Sequence, residues 1–310
     1  MEFKHISVLY EETIKGLNVK NGGIYFDGTL GGGGHSYGIL SSAENVRLIG
    51  VDRDAEAIRA AGKRLAPFGD RVTYVNRNFS QIKDILNDLN VDGIDGAVLD
   101  LGVSSYQLDN AERGFSYMHN SRLDMRMNQD NPISAYEVVN TYSEDKLKKI
   151  FYDYGEEKWS ARVAQFIVEK RVQKPVETTF ELVDIIKAAI PKRARAEGSH
   201  PAKRIFQAIR IEVNDELSIL KNTINDIAEV LNPGGRIAVI TFHSLEDRII
   251  KNAFNDLATG CICPKSFPVC VCNRQPVVKI ITKKPILPSV QEENENSRAK
   301  SAKLRIAEKI

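Results

Sequence analysis

Short apolar runs bounded by glycines and polar residues alternate with longer stretches whose apolar positions recur every three or four residues. Four of the runs, Gly23 to Phe26, Arg47 to Val51, Arg71 to Val75 and Gly96 to Leu99, read as strands. Between them Asp54 to Ala66 and Phe79 to Leu89 have helical spacing, so the order is strand, helix, strand, helix. That alternation predicts a doubly wound α/β domain with a parallel sheet.

After Leu101 the rhythm stops, and no convincing core strand follows until Arg236 to Phe242. Ser143 to Tyr154, Ser160 to Arg171 and Phe180 to Ala189 are patterned as helices, which predicts an inserted, mainly helical subdomain. The expected division is a discontinuous core, 1–107 and 208–310, around an insert at 108–207. A long amphipathic helix, Pro201 to Leu231, ended by Asn232-Pro-Gly-Gly235, is expected to lead back to the sheet. Val277 to Thr282 and Leu304 to Ala307 read as the last strands, and Ile286 to Arg298 as an exposed loop.

With 310 residues, 42% of them hydrophobic, the chain can bury a sizeable core. A net charge of +2 decides nothing about nucleic acid, so that case must come from where the basic residues sit. The N-terminal Met-Glu-Phe-Lys-His has no apolar leader and no stretch is long enough to cross a bilayer, so a cytoplasmic protein is expected. All four cysteines lie between Cys261 and Cys272, which argues against a disulfide framework.

Candidate chemistry begins where the first strand gives way to Asp27-Gly-Thr-Leu-Gly-Gly-Gly-Gly-His-Ser36. Glycines at a helix N-terminus let bare backbone N–H groups approach a nucleotide-like ligand. No register of Gly31 to Gly34 yields G-x-G-x-x-G, which disfavours NAD. Asp52, 18 positions after Gly34 at the end of the second strand, can accept both ribose hydroxyls. Asp27 and Asp100 end two further strands, so three carboxylates would surround a cationic sulfonium and repel a pyrophosphate. Phe79 either reaches the adenine or packs in the core; Gln107 either meets the nucleoside or lies at the surface; His35 either touches the cofactor or caps the helix.

Six segments now stand in order: 27–36, Asp-Leu-Gly-Val-Ser-Ser (100–105), Glu-Arg-Gly-Phe-Ser-Tyr (112–117), Leu-Asp-Met-Arg-Met (123–127), His-Pro-Ala-Lys-Arg-Ile-Phe-Gln-Ala-Ile-Arg (200–210) and Thr-Phe-His-Ser-Leu-Glu-Asp-Arg (241–248). Through them the chain resembles the RsmH, or MraW, family of bacterial 16S rRNA (cytosine-N4)-methyltransferases, from His5 to Leu-Arg-Ile-Ala-Glu (304–308). The resemblance implies S-adenosylmethionine as donor and a class I (Rossmann-like) methyltransferase core with an inserted helical subdomain. It also implies a target cytidine in the decoding region of 16S rRNA, within the 30S subunit. Donor contacts carried over are Gly33, Gly34, His35, Asp52, Phe79, Asp100 and Gln107. The cysteine-rich segment departs from the family pattern.

An exocyclic cytosine nitrogen shares its lone pair with the ring, so placement must dominate catalysis. Asp100-Leu-Gly-Val-Ser-Ser105 stands where amine methyltransferases often carry Asp/Asn-Pro-Pro-Tyr/Phe, so the usual stacking platform is missing. We expect Asp100 and nearby carbonyls to accept from the amine, Ser104 or Ser105 to orient the base, and Phe115, Tyr117 or Phe242 to stack on it. His243 takes the released proton, contacts RNA, or is structural with one hydrogen bond; Glu246 and Asp247 read as helix N-terminal acids.

RNA contact is expected from Lys192, Arg193, Arg195, Lys203, Arg204 and Arg210, opposed only by Glu197 in a loop made flexible by Gly198, and extended by Arg113, Arg122 and Arg126. Met118, Met125 and Met127 either fill the core or wall a flipped base. Cys261-Ile-Cys263 and Cys270-Val-Cys272 offer four thiols for a zinc ion, with free or reversibly oxidised thiols as the alternative. A non-catalytic ribosome assembly factor is the other function class these features allow. No membrane partner is expected, and a homodimer is left open.

Overall fold

The computed structural model describes residues 7–196, 200–264, 267 and 269–310. Contacts divide the chain into two compact units, Met1–Gly102 with Leu217–Ile310, and Val103–Glu216.

The first unit holds one seven-stranded sheet: β1 (Ile24–Asp27), β2 (Arg47–Val51), β3 (Val72–Val75), β4 (Ile94–Asp100), β5 (Leu231–Thr241), β6 (Val278–Ile280) and β7 (Lys303–Lys309). Their order is β3-β2-β1-β4-β5-β7-β6. The first five are parallel, and β7 runs antiparallel between β5 and β6, so the sheet is mixed rather than wholly parallel. This is the sheet of a class I methyltransferase core. Successive side chains of the inner strands enter opposite layers: Phe26, Ile49, Leu99 and Val239 pack with helices Leu220–Val230 and Ser244–Ala258, while Tyr25, Leu48, Val98 and Ala238 pack with Gly34–Ser42 and Ala55–Leu65. Burial on both faces explains why these strands are apolar without alternation. Strand order reverses between β1 and β4, so the crevice at their carboxyl ends is the place for a ligand.

The second unit is helical and closes its own core around Leu147, Phe151, Val163, Ile167, Leu182, Ile186, Ile205 and Ile209. Its helices start at local signals: Ser134 forms a capping box with Glu137, and Thr178 with Glu181.

Three expectations need correction. The single helix over Pro201 to Leu231 is two, Ala202–Asn214 and Leu220–Val230, because Asp215 turns left-handed at φ 47° and caps the first through its N–H to Ile211. Asn232-Pro-Gly-Gly235 lies inside β5, whose Leu231 already pairs with Ile94. The loop Ile286 to Arg298 contains a short helix, Val290–Glu295, capped by Ser289.

Candidate active site

The loop after β1 is laid across the ends of three strands: Gly28 N–H donates to Val98, Leu30 N–H to Val51, and Gly31 N–H to Asp52 Oδ2 at 2.9 Å. Asp52 Oδ1 accepts from Asp54 N–H at 2.9 Å, so this carboxylate anchors the glycine loop from β2. Burial raises its pKa against those two hydrogen bonds. Gly33 takes φ 73° as the N-cap of Gly34–Ser42, a conformation that favours glycine, and a Cβ there would press on Ala61 and Leu65 at 3.3 Å. A Cβ on Gly32 would meet nothing within 4 Å, so the loop is packed beneath Gly33 and open above Gly32.

Asp27 serves the loop itself. Its oxygens accept from Thr29 N–H at 3.1 Å and Ser36 Oγ–H at 2.6 Å, and burial lifts its pKa to about 6.

Asp100 is different. Its backbone N–H is held by Thr29 Oγ1 at 2.6 Å, which fixes the residue at the end of β4. Its Oδ1 is buried without a hydrogen-bond partner, and its Oδ2 lies 3.7 Å from His35 Nδ1. Burial first, then the charges of Asp27 and Glu246, push its pKa to about 8. His35 is 5% exposed, stacks beside Tyr10, and has Nε2 3.1 Å from the Val8 carbonyl. A carbonyl only accepts, so Nε2 carries a proton and Nδ1 is the ring atom that faces Asp100. The His35 side chain is therefore turned toward a carboxylate, and its backbone is what remains for a cofactor.

Beside it, Glu246 Oε2 accepts from Phe242 N–H at 2.8 Å, while the His243 ring caps Ser244–Ala258 through Nδ1. His243 Nε2, 3.2 Å from Glu246 Oε1, has no hydrogen bond. The arrangement favours the structural reading of this histidine. Asp247 is bound to Arg305 at 2.6 Å. Phe79, 8% exposed, packs in the core under Gly28. Of the three stacking candidates, Phe242 belongs to this unit and flanks Gly102, which has φ 89°.

A nucleoside bearing a cation is compatible with these groups: an open glycine turn, a carboxylate at the end of β2, and a buried carboxylate oxygen that lacks a partner. An anionic pyrophosphate does not fit, since three acids line the strand ends. Sequence reasoning missed the effect of Glu246 on Asp100; the His-Ser-Leu-Glu spacing of a capping box was the available signal.

In the second unit Ser104 and Gln107 form a capping box with each other, and Gln107 is 5% exposed. The side chain of Ser105 lies outside the described residues, as do Glu197 and Gly198. Arg113, expected at the RNA surface, is instead buried at 3% exposure, and its guanidinium donates to the Arg126 and Met127 carbonyls. Arg126 is paired with Asp124, and Arg210 grips Glu216 with two bonds of 2.9 Å. Arg204 donates to the Glu156 carbonyl, and Arg195 is half-buried. Lys192, Arg193, Lys203 and Arg122 are exposed. Phe115, Met125 and Met127 fill the core, Tyr117 stacks on His200 at 4.6 Å, and Met118 is exposed.

The four cysteines do come together: Cys261, Cys263, Cys270 and Cys272 have their sulphurs within 4.8 Å of one another. Among the described residues no helix is long and apolar enough to cross a membrane.

Residues 2–310 match the MraW methylase family. Two curated relatives, both called ribosomal RNA small subunit methyltransferase H, come from Clostridioides difficile (strain 630) and Clostridium botulinum (strain Loch Maree / Type A3). They are 57% and 58% identical over 311 residues, with 100% of each chain covered. A solved rRNA methylase from Streptococcus thermophilus is 10% identical with a TM-score of 0.42, over 97% of this chain and 93% of that one.

Proposed function

Because the chain belongs to the MraW methylase family, we propose that it methylates small-subunit ribosomal RNA, with S-adenosylmethionine as donor and the exocyclic N4 of a decoding-region cytidine as acceptor. The observation that carries this reading is the unpartnered Oδ1 of Asp100, a buried acceptor beside an open glycine turn.

Gly31 to Gly34 and Asp52 would hold S-adenosylmethionine, which would supply an electrophilic sulfonium methyl. Asp100 Oδ1 accepts an N–H of the cytosine amine, which orients the nitrogen lone pair and gives the departing proton a destination. His35, held through Nε2 by the Val8 carbonyl, keeps its Nδ1 3.7 Å from the second oxygen. Phe242 offers the missing stacking face. Orientation of this kind is worth roughly 7–11 kcal/mol, and a base about 10²–10⁴-fold in rate, so positioning is the larger share.

The exposed Lys192, Arg193 and Lys203 would meet phosphates. The direct test is methyl transfer to 30S subunits lacking the modification, followed by mass spectrometry of the digested rRNA. We expect one N4-methylated cytidine, and about 10²–10⁴-fold lower kcat for Asp100→Asn. A methyl on another atom would refute the acceptor, and no incorporation at saturating donor would favour a non-catalytic assembly factor.

A further inference from the structure

The helix Ser244–Ala258 is followed by a loop that no hydrophobic core explains. Between Asn255 and Val277 no described residue is buried, and Ile262, Phe267, Val269 and Val271 are 50–69% exposed. Its base is closed by Val277 N–H on the Leu257 carbonyl at 2.7 Å and by Arg274 on the Asp256 carbonyl. Apolar burial does not hold the described residues of this segment, yet its four sulphurs converge. Cys270 and Cys272 stand 3.6 Å apart, and Cys261 and Cys272 3.8 Å.

Zinc–thiolate bonds of about 2.3 Å at tetrahedral angles place sulphurs about 3.8 Å apart, so these separations match the edges of a single ZnS₄ tetrahedron. They are far beyond the roughly 2.05 Å of a disulfide, and all four thiols are free. The two Cys-x-Cys segments also interlock. Ile262, between the first pair, donates its N–H to Cys272 Sγ at 3.5 Å, and Val271, between the second, donates to Cys263 Sγ at 3.4 Å. Amide donors aimed at sulphur stabilise thiolates and orient them, as the outer shell of a metal site does.

We propose that Cys261, Cys263, Cys270 and Cys272 bind one zinc(II) ion as a closed tetrathiolate site that orders this loop. Four S–H bonds give up their protons to solvent, four Zn–S bonds form, and nothing is oxidised or reduced. All four positions are filled by protein, so the site is structural and leaves no place for a zinc-bound water. Sulphurs this close enclose one ion, which excludes an iron–sulphur cluster.

The test uses the full chain purified without chelator. Native mass spectrometry and elemental analysis should find one zinc per chain, and cobalt(II) added to the stripped protein should give the absorption of a tetrahedral thiolate complex. Chelation should expose four thiols to a thiol reagent and open the 259–276 loop to protease, while methyl transfer gives a separate readout of the rest of the fold. Cys263→Ser and Cys272→Ser should each lose stoichiometric zinc. The wild-type cobalt titration stands even if those variants fail to fold. Less than stoichiometric zinc, mononuclear iron in its place, or paired disulfides in freshly isolated protein would overturn the proposal.

Discussion

Asp100 and Asp52 are both carboxylates at strand ends, but their hydrogen bonds give them separate work. Both oxygens of Asp52 are occupied by amides, whereas Oδ1 of Asp100 has no partner, and this splits the expected effects of mutation. Asp52→Ala removes the anchor of Gly31, so donor affinity should fall at least about tenfold and stability should drop; a hydrogen bond to a charged group is worth about 1.5–3 kcal/mol. Calorimetry with donor and thermal unfolding check both, and unchanged affinity would remove Asp52 from the site. For Asp100 the diagnostic variable is pH. Its folded pKa of about 8 lies above the usual carboxylate value, so the folded chain holds a proton that the unfolded chain has lost. Stability from this group therefore falls as pH rises from about 4 to about 8 and is level beyond. Asp100→Asn abolishes that slope, and its Tm should exceed that of the wild type increasingly up to pH 8. A bound sulfonium reverses the preference by favouring the carboxylate. At pH 7 S-adenosylmethionine should release up to one proton on binding, and S-adenosylhomocysteine, which has no sulphur charge, should release much less. Equal release, measured by titration calorimetry in buffers of different ionisation heat, would remove Asp100 from the sulfonium's neighbourhood.

At the scale of elements, the break after Ala202–Asn214 depends on one buried pair. Arg210 and Glu216 are 17% and 5% exposed and share two bonds, while Asn214 ties the helix end to Met125 and Met127. Arg210→Ala strands a buried carboxylate and should cost about 3–5 kcal/mol, read by denaturant unfolding. Loss of RNA affinity with unchanged stability would return Arg210 to the RNA surface. The same pair explains what could be read in the chain and what could not. Strands β1, β2 and β4 and the second half of β5 were legible because burial on both faces makes their inner stretches apolar, and the glycine turn and Asp52 because they follow strand ends directly. The break at Asp215 was not, because Leu217 and Leu220 continue the amphipathic pattern and the ion pair that fixes the turn exists only once folded. Arg113 misled for a related reason. A charged residue goes inside when carbonyls are waiting for it, and those of Arg126 and Met127 are supplied by a loop whose path the pattern does not encode. Likewise, the influence of Glu246 and His35 on Asp100 follows from strand order, with β5 and β1 on either side of β4.

Taken over the whole molecule, 43 basic and 41 acidic residues leave a net charge of +2, too little for a general attraction to RNA. Any salt dependence must then arise from a few cations that reach phosphates. Arg113 and Arg210 are committed inside their own unit and the exposed Arg204 donates to the Glu156 carbonyl, which leaves Lys192, Arg193 and Lys203 as the other exposed members of the basic stretch. Each phosphate contact on single-stranded RNA contributes about 0.7 to the slope of log affinity against log salt. Replacing the three with glutamine should therefore reduce that slope by about two and weaken binding at low salt much more than at high salt. Because the substitutions leave Asp52 and Asp100 untouched, kcat at saturating 30S subunits should stay near wild type while KM rises. Asp100→Asn should do the reverse, keeping the salt slope and losing kcat. A triple variant that binds with an unchanged slope would move the RNA surface elsewhere, and one that loses kcat at saturation would mean these side chains position the substrate for reaction as well as attract it.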